Sequence, residues 1–490
     1  MLWFKPYSAL TKEVVKNMST PISPLPATQQ KRSYVLACVA TGAFLSTFDG
    51  GVVNVGLPRM AAEFNVSLSM IQWVPSVYLL TMSALLLIFG TLADMFGRKR
   101  IYNGGFALVG IFSLLCILTN NVYLLIFTRV LQGVGGAMIM ANGLVIATEN
   151  YPPEQRGKNI GFLGSVAAIG SLAGPSLGGI VIGLWGWRMI FLLITIVAAT
   201  GFLASHFIIP ADHGKNRKSK KFDTWGAIYV IIGMVSFIYG VSNLNDFGWS
   251  SPLILTSGTI FLISLIAVAL QERKALNPIL DFELFKMRIF WTSIVAALIS
   301  FITMYSSTVL LPFYYQKVLG YTPQMAGLFM MAFPLGMAIM ATFAGRLSDK
   351  IGYTFLTSSG MILNALALVL LANVGDKTPV IQVILAVFGM GASLGLFQAP
   401  NNSCIMGAVP KNKLGVASGI SQLVKNLGMV LGITLSVAIF QHSMDAKVSL
   451  PYVAAFLPST AIVYYLAAGL SIIGALFSLN RGGKEIPKNQ

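Results

Sequence analysis

The chain has 490 residues, of which 56% are hydrophobic and 10% charged, with a mean hydropathy of +0.76. So few charged side chains cannot cover the water-facing surface of a chain this long, which excludes a soluble enzyme, a nucleic-acid binder and a secreted domain and identifies an integral membrane protein. The net charge of +17 arises from 33 Lys and Arg against 16 Asp and Glu, and the basic residues fall in short runs between apolar stretches, the pattern of a multispanning protein.

A bilayer core of about 30 Å needs about 20 apolar residues at helical rise, and fourteen such windows occur. Residues 1–33 are polar and open on a mildly amphipathic stretch, Met1 to Met18. The first apolar run is too long and too late for a cleaved signal peptide, so 1–33 is expected to be a cytoplasmic tail, with residues 1–17 either an upstream-start extension or an interfacial anchor. The span 34–57 ends in FDGGVVNVGLP, Phe48 to Pro58, and holds Asp49 and Asn54. Span 71–93 runs into GTLADMFGRKR, Gly90 to Arg100, and is followed by 101–118. Span 122–147 carries RVLQGVGGA, Arg129 to Ala137, with Gly133 inside it and Glu149 just beyond its inner end. Span 160–184 contains GSLAGPSLGG, Gly170 to Gly179, and 188–209 completes a six-helix bundle over 34–210. The region 211–287 joins a basic linker, Asp212 to Lys221, to two inserted spans, 222–242 and 252–270. A second six-helix bundle over 288–480 takes spans 288–313, 322–347, 353–372, 379–400, 413–440 and 460–479, and 481–490 is a second cytoplasmic tail.

Five basic residues, Arg59, Arg188, Lys317, Lys377 and Lys447, fall on the face opposite the termini, and Arg129 and Lys425 fall inside spans. The other 26 of 33 share the face of the termini. That face is expected to be cytoplasmic and the location the cell (inner) membrane.

The two sets repeat a loop at the same place. Gly90, Leu92, Asp94 and Gly97 after the second span recur as Gly345, Leu347, Asp349 and Gly352 after the tenth, in GRLSDKIGYT. Glycine lets helices cross closely, Asp94 can cap the next helix start, and Arg98 can pair with an acid on a neighbour. GTLADMFGRKR resembles the loop signature of the major facilitator superfamily. RVLQGVGGA resembles its fourth-helix motif, GSLAGPSLGG the fifth-helix motif of its antiporters, and FDGGVVNVGLP is similar to the first-helix pattern of the fourteen-helix drug:proton antiporter branch. Gly50, Gly51 and Gly56 depart from that pattern, which bears on substrate and not on fold. The resemblance implies an all-α membrane protein of two six-helix bundles with an inserted helix pair, working by alternating access and exporting compounds against proton entry. It also implies a part in proton coupling for Arg129, and it makes Gly90, Asp94, Gly97, Arg98, Gly133, Gly170, Gly174, Pro175, Gly178, Gly179 and Asp349 conformational positions. For the glycines of span five, ordinary close packing is the other reading.

An ionisable side chain at the bilayer centre costs at least about 2.5 kcal/mol, so each one is a functional candidate. Asp49 and Arg129 lie at a similar depth, roughly 10 to 14 Å below the outer surface. They form either a proton switch, since burial disfavours the carboxylate and a neighbouring arginine favours it, or a static ion pair. Lys425, flanked by Gln422 and Asn426, can bind an anionic group of the substrate, compete with a proton for Asp49, or join a static network with Asn401, Asn402 or Gln398. One acid against two bases argues for neutral, zwitterionic or acidic amphipathic substrates. Glu149 reads as a solvated helix-end glutamate or an extra charge at the cytoplasmic mouth. Lys425, Asn54, Gln422, Asn426, Phe301 and Tyr305 are substrate-cavity candidates, and Tyr314 with Tyr315 suits an interfacial belt.

Cys38, Cys116 and Cys404 show no paired spacing, and His206, His213 and His442 match no metal pattern. No Walker loop or soluble catalytic domain is present, so neither enzyme nor ATPase is expected and no cofactor is required. A proton moving down about 100 mV and one pH unit supplies about 3.7 kcal/mol, enough for a concentration ratio of a few hundred-fold. The expected function is proton-coupled export of small amphipathic drugs or metabolites. A proton-coupled importer and a non-transporting membrane sensor or enzyme are the alternatives. Expected partners are the substrate, protons and the bilayer, with no nucleic acid, and a periplasmic adaptor if the host has two membranes.

Overall fold

The computed structural model describes residues 27–149, 151, 153–210, 224–243, 248, 250–272, 283–410 and 413–481. The N-terminal tail, the linker after residue 210 and most of the C-terminal tail expected from the sequence lie outside these residues.

Most of the described residues lie in α-helices long enough to cross a bilayer. In chain order they are α1 (Ala27–Phe64), α2 (Trp73–Phe96), α3 (Arg98–Leu118), α4 (Val122–Glu149), α5 (Pro153–Trp185), α6 (Arg188–Ile208), α7 (Thr224–Ser242), α8 (Pro252–Glu272) and α9 (Arg288–Tyr305). They continue with α10, made of Pro323–Met330 and Ala332–Ile351, then α11 (Tyr353–Ala372), α12 (Val380–Ala408), α13 (Leu414–Asp445) and α14 (Tyr452–Leu479). Thirteen helices among the described residues are long and apolar enough to span a membrane. The fourteenth expected span is α7, a helix of 19 residues without Asp, Glu, Lys or Arg. An even number of crossings puts Ala27 and Arg481 on one face, here the terminal face; the opposite one is the distal face.

Many large apolar side chains point outward, Phe207 at 79% and Leu118 at 73% exposure among them. In water these would be a liability, but hydrocarbon accepts them, and the backbone polar groups are satisfied within each helix. The helices pack as two sets. In the first, α1 lies against α5, α6 and α4, α2 against α4, and α3 against α4 and α6. In the second, α12 lies against α10 and α11, α11 against α14, and α9 against α13, α14 and α12. The inserted helices α7 and α8 pair with each other, and α7 reaches both α2 and α13.

The repeated loops have the same geometry. Gly97 ends α2 and begins α3 at φ 104°, and Gly352 ends the second part of α10 and begins α11 at φ 83°. Each turn is one residue in a region that a β-carbon disfavours, which is why glycine occupies both. The expectation that Asp94 caps α3 fails: Gly97 holds that position without a side-chain cap. Asp94 instead accepts from Nε and Nη2 of Arg98 at 3.2 and 2.8 Å, one helical turn on.

The two sets meet in the distal half. A β-carbon at Gly179 of α5 would lie 2.5 Å from the Pro323 carbonyl oxygen of α10, and one at Gly183 would collide with Gln324. After α9 the chain forms a short helix, Leu310–Phe313, and a π-helical turn, Tyr314–Val318, from which Gln316 Nε2 donates to the Val55 carbonyl of α1 at 3.0 Å. Tyr314 and Tyr315 are buried, at 3% and 0% exposure, and Tyr315 packs on Phe329. They are core residues and not an interfacial belt. At the distal rim of the first set, Glu63 at the end of α1 accepts from Trp187 Nε1 at 2.5 Å and pairs with Arg188, tying α1 to the start of α6.

Candidate functional site

Asp49 and Arg129 are brought together in the middle of the first set. Arg129 Nη1 donates to Asp49 Oδ1 and Oδ2 at 2.9 and 3.0 Å, and Nη2 to Oδ2 at 3.0 Å. Both residues are 1% exposed. The guanidinium is further held by the Gln132 carboxamide oxygen at 2.7 Å, by the Val74 carbonyl of α2 at 3.1 Å, and by the Tyr78 ring 4.3 Å below it. Gln132 in turn donates to Ser113 of α3 at 2.8 Å. Four helices thus converge on one charge pair, with the bidentate contacts and additional acceptors that a buried ion pair needs to offset desolvation. The sequence pointed to the two charges. It did not reveal Gln132, Ser113, Tyr78 or Val74, although Gln132 sits one turn after Arg129 on the same helix face.

The glycines place α1 beside the pair. Gly170, Gly174 and Gly178 of α5 face the backbone of Phe44, Phe48 and Val52, and Pro175 packs on Gly51. Gly133 of α4 approaches the Tyr78 carbonyl of α2, whereas Gly90 has no atom within 4 Å of where a β-carbon would stand. With α4, α5 and α6 covering three sides of α1, its fourth side is bare at Gly50. This residue is exposed, and a β-carbon there would meet no atom within 4 Å. This open space adjoins Asp49, the preceding residue, and further along α1 the Val55 carbonyl accepts from Gln316 of the second set. Asn54, buried on the same helix, donates to the Gly50 carbonyl at 2.7 Å and leaves its Oδ1 without a partner.

In the second set, Lys425 of α13 is half-buried, its Nζ 5.5 Å from the centre of the Phe301 ring of α9. Gln422 donates to Asn426 Oδ1 at 3.3 Å, and the Asn426 Nδ2 has no partner. Tyr305, half-buried on α9, packs against α13 at Gly432. Among the described residues no carboxylate pairs with Lys425 and no hydrogen bond joins it to Asn401, Asn402 or Gln398, so of its three readings the static network finds no support. Asn401 belongs to Arg481, whose Nη2 donates to its Oδ1 at 2.7 Å. That arginine, expected in a solvated tail, is 1% exposed, and among the described residues its Nε and Nη1 have no hydrogen-bond partner. Burial pushes its guanidinium down from its ordinary value. The side chains of Glu149 and Asp349 lie outside the described residues.

The three cysteines are buried and unpaired, and no group of three or more metal-binding side chains occurs among the described residues. The chemistry available is therefore a sealed carboxylate–guanidinium pair in the first set with open space at the neighbouring Gly50, and in the second set one cation beside an aromatic ring.

Comparison with known proteins agrees with this architecture. The sequence profile of the Major Facilitator Superfamily matches residues 39–433. The riboflavin transporter RibZ of Clostridioides difficile is 32% identical over 447 residues, spanning 91% of this chain and 96% of its own. The multidrug transporter protein MdtP of Bacillus subtilis is 29% identical over 411 residues, 83% of this chain and 75% of its own. Among solved structures, a D-xylose-proton symporter superposes with a TM-score of 0.66 at 16% identity, covering 93% of this chain and 99% of that one.

Proposed function

Since the chain belongs to the Major Facilitator Superfamily, and is thus a multi-pass membrane transporter of small molecules and not an enzyme, we propose that it is a proton-coupled exporter of small amphipathic compounds. In this reading the terminal face is cytoplasmic, the protein sits in the cell membrane, and the two helix sets rock about the space between Gly50 and Lys425. The observation that carries it is the Asp49–Arg129 pair, 1% exposed yet one residue from the open side of α1. A carboxylate so placed changes partners when substrate or water enters. With Arg129 held by Gln132 and Val74 whatever Asp49 does, the carboxylate can take up a proton from the distal side and release it on the terminal side without losing the fold.

The second wall sets the substrate class. Lys425 over Phe301 favours flat or amphipathic molecules that are neutral or anionic, because a cation would face an uncompensated ammonium. Relatives named as multidrug transporters support export of dissimilar compounds. The riboflavin transporter supports a polar ring system as one cargo, and because its name carries no direction it keeps an importer as the second reading.

The test is proton movement in everted vesicles carrying a pH-gradient dye, with cationic, neutral and anionic amphipaths added in turn. Export coupled to protons appears as substrate-induced collapse of the gradient, lost in Asp49→Asn; loss of the anion response alone in Lys425→Ala assigns the substrate charge. Absence of any response from folded, inserted protein overturns the coupling, and uptake confined to right-side-out vesicles establishes the importer.

A further inference from the structure

Away from the central space, the inserted pair and the second set enclose a crevice of about 960 Å³. It takes Phe237 and Gly240 from the last turns of α7, Ile254 and Gly258 from the first turns of α8, Leu435 to Ser443 from the last turns of α13, and Ala446 and Lys447 just beyond it. All three helix ends lie at the distal face, so the crevice occupies the distal half of the bilayer. Its walls are overwhelmingly apolar. Ser257, one of the few hydroxyls among them, donates to the Ile254 carbonyl of its own helix at 2.8 Å.

At the distal mouth the chemistry changes. Lys447 lines the crevice, half-buried, and its Nζ donates to the Ser443 carbonyl at 3.1 Å and the Ser443 hydroxyl at 2.6 Å. An ammonium has three donors, so one remains. Asp445 does not line the crevice and accepts from Gln441 at 2.8 Å; His442 is the other titratable group in the lining. An apolar slot along the acyl region with one cation at headgroup height is complementary to an anionic amphipath lying parallel to the helices.

We propose that the crevice seats an anionic glycerophospholipid of the distal leaflet, with its acyl chains between α8 and α13 and its phosphate on Lys447. Bound there, it fills the space between the inserted pair and α13, the helix that carries Lys425. Phe237 closes the inner end, packing with Leu80 of α2 and Val430 of α13 where the two sets meet.

A reporter cysteine tests this in the full chain, because Cys38, Cys116 and Cys404 are buried and escape labelling. Thr259→Cys, on the crevice wall, is labelled with bimane and reconstituted in phosphatidylcholine vesicles holding equal fractions of nitroxide-tailed phosphatidylglycerol or phosphatidylethanolamine. Phosphatidylglycerol is expected to quench about fivefold more, the ratio for one lysine at an anionic headgroup. That excess disappears in Lys447→Ala and returns in Lys447→Arg. Quenching by both lipids falls in Gly258→Leu, at a position where an added β-carbon meets no described atom within 4 Å. Equal quenching by the two lipids, or an excess that survives Lys447→Ala, overturns the proposal.

Discussion

Removing one member of a buried ion pair leaves the other charge uncompensated, at about 3 to 5 kcal/mol. Asp49→Ala and Arg129→Ala are each expected to lower the unfolding temperature in detergent sharply, and the double variant to lose far less than the two combined. Additive losses would mean that the pair contributes nothing as a unit. Arg481 poses the reverse case, a buried guanidinium with one hydrogen bond and two bare donor atoms. Arg481→Met keeps most of the volume and relieves the unmet donors, so it is expected to raise stability by about 1 kcal/mol, read as a higher melting temperature. Asp49 and Arg129 were legible in the sequence because charge inside an apolar run is rare. Arg481 was not: two residues beyond the last apolar turn, it looks like any tail lysine until α14 is seen to draw it in against Asn401. Gln132 and Ser113 were equally silent, since amides and hydroxyls are ordinary in helices and only the packing of α3 on α4 gives them a partner.

Among the elements, the helices were legible because hydrocarbon demands long apolar runs, and the two sets because a loop recurs. Where a helix ends was less so. The α1 helix spans 38 residues, well beyond the bilayer core, and passes through Pro58; α10 is interrupted at Met331. The π-helical turn at Tyr314–Val318 left no mark in composition, and its tyrosines, which suit a membrane interface by type, are drawn into the core by Phe329. Asp94 shows the limit of motif physics, since a carboxylate four residues before a helix has a choice between the cap and an arginine one turn on. Gly97→Ala forces a β-carbon into a disfavoured region at about 1 to 3 kcal/mol; Gly352→Ala is expected to cost a similar amount, and a melting curve unchanged in both would refute the strain. Gly179→Leu acts differently, wedging α5 from α10. It should shift the protein toward a distally open form, seen as greater modification of cysteines placed around Gly50 from the distal side.

For the molecule as a whole, the two sets touch through α5 with α10, α2 with α13, and Gln316 with α1, and these contacts close the distal half. Gly183 and Gln324 meet across that seam, the glutamine side chain lying where a β-carbon at Gly183 would stand, so a cysteine pair at the two positions can test whether the seam must open. Oxidising Gly183→Cys/Gln324→Cys is expected to arrest transport, with recovery on reduction; full transport with the bond formed would show that the seam need not open. Which face closes was not legible, because an arrangement open on either face would satisfy the same hydrophobic pattern.

The one-residue joints at Gly97 and Gly352 leave α2–α3 and α10–α11 no spare chain. A longer loop absorbs an added or deleted residue by bulging, but here a single inserted codon would turn the following helix by about 100° and bring a different face toward its neighbours. Drift in loop length is therefore closed to these two places. A survey of natural variants should find substitutions around both glycines and almost no insertions or deletions between Asp94 and Arg98 or between Asp349 and Tyr353.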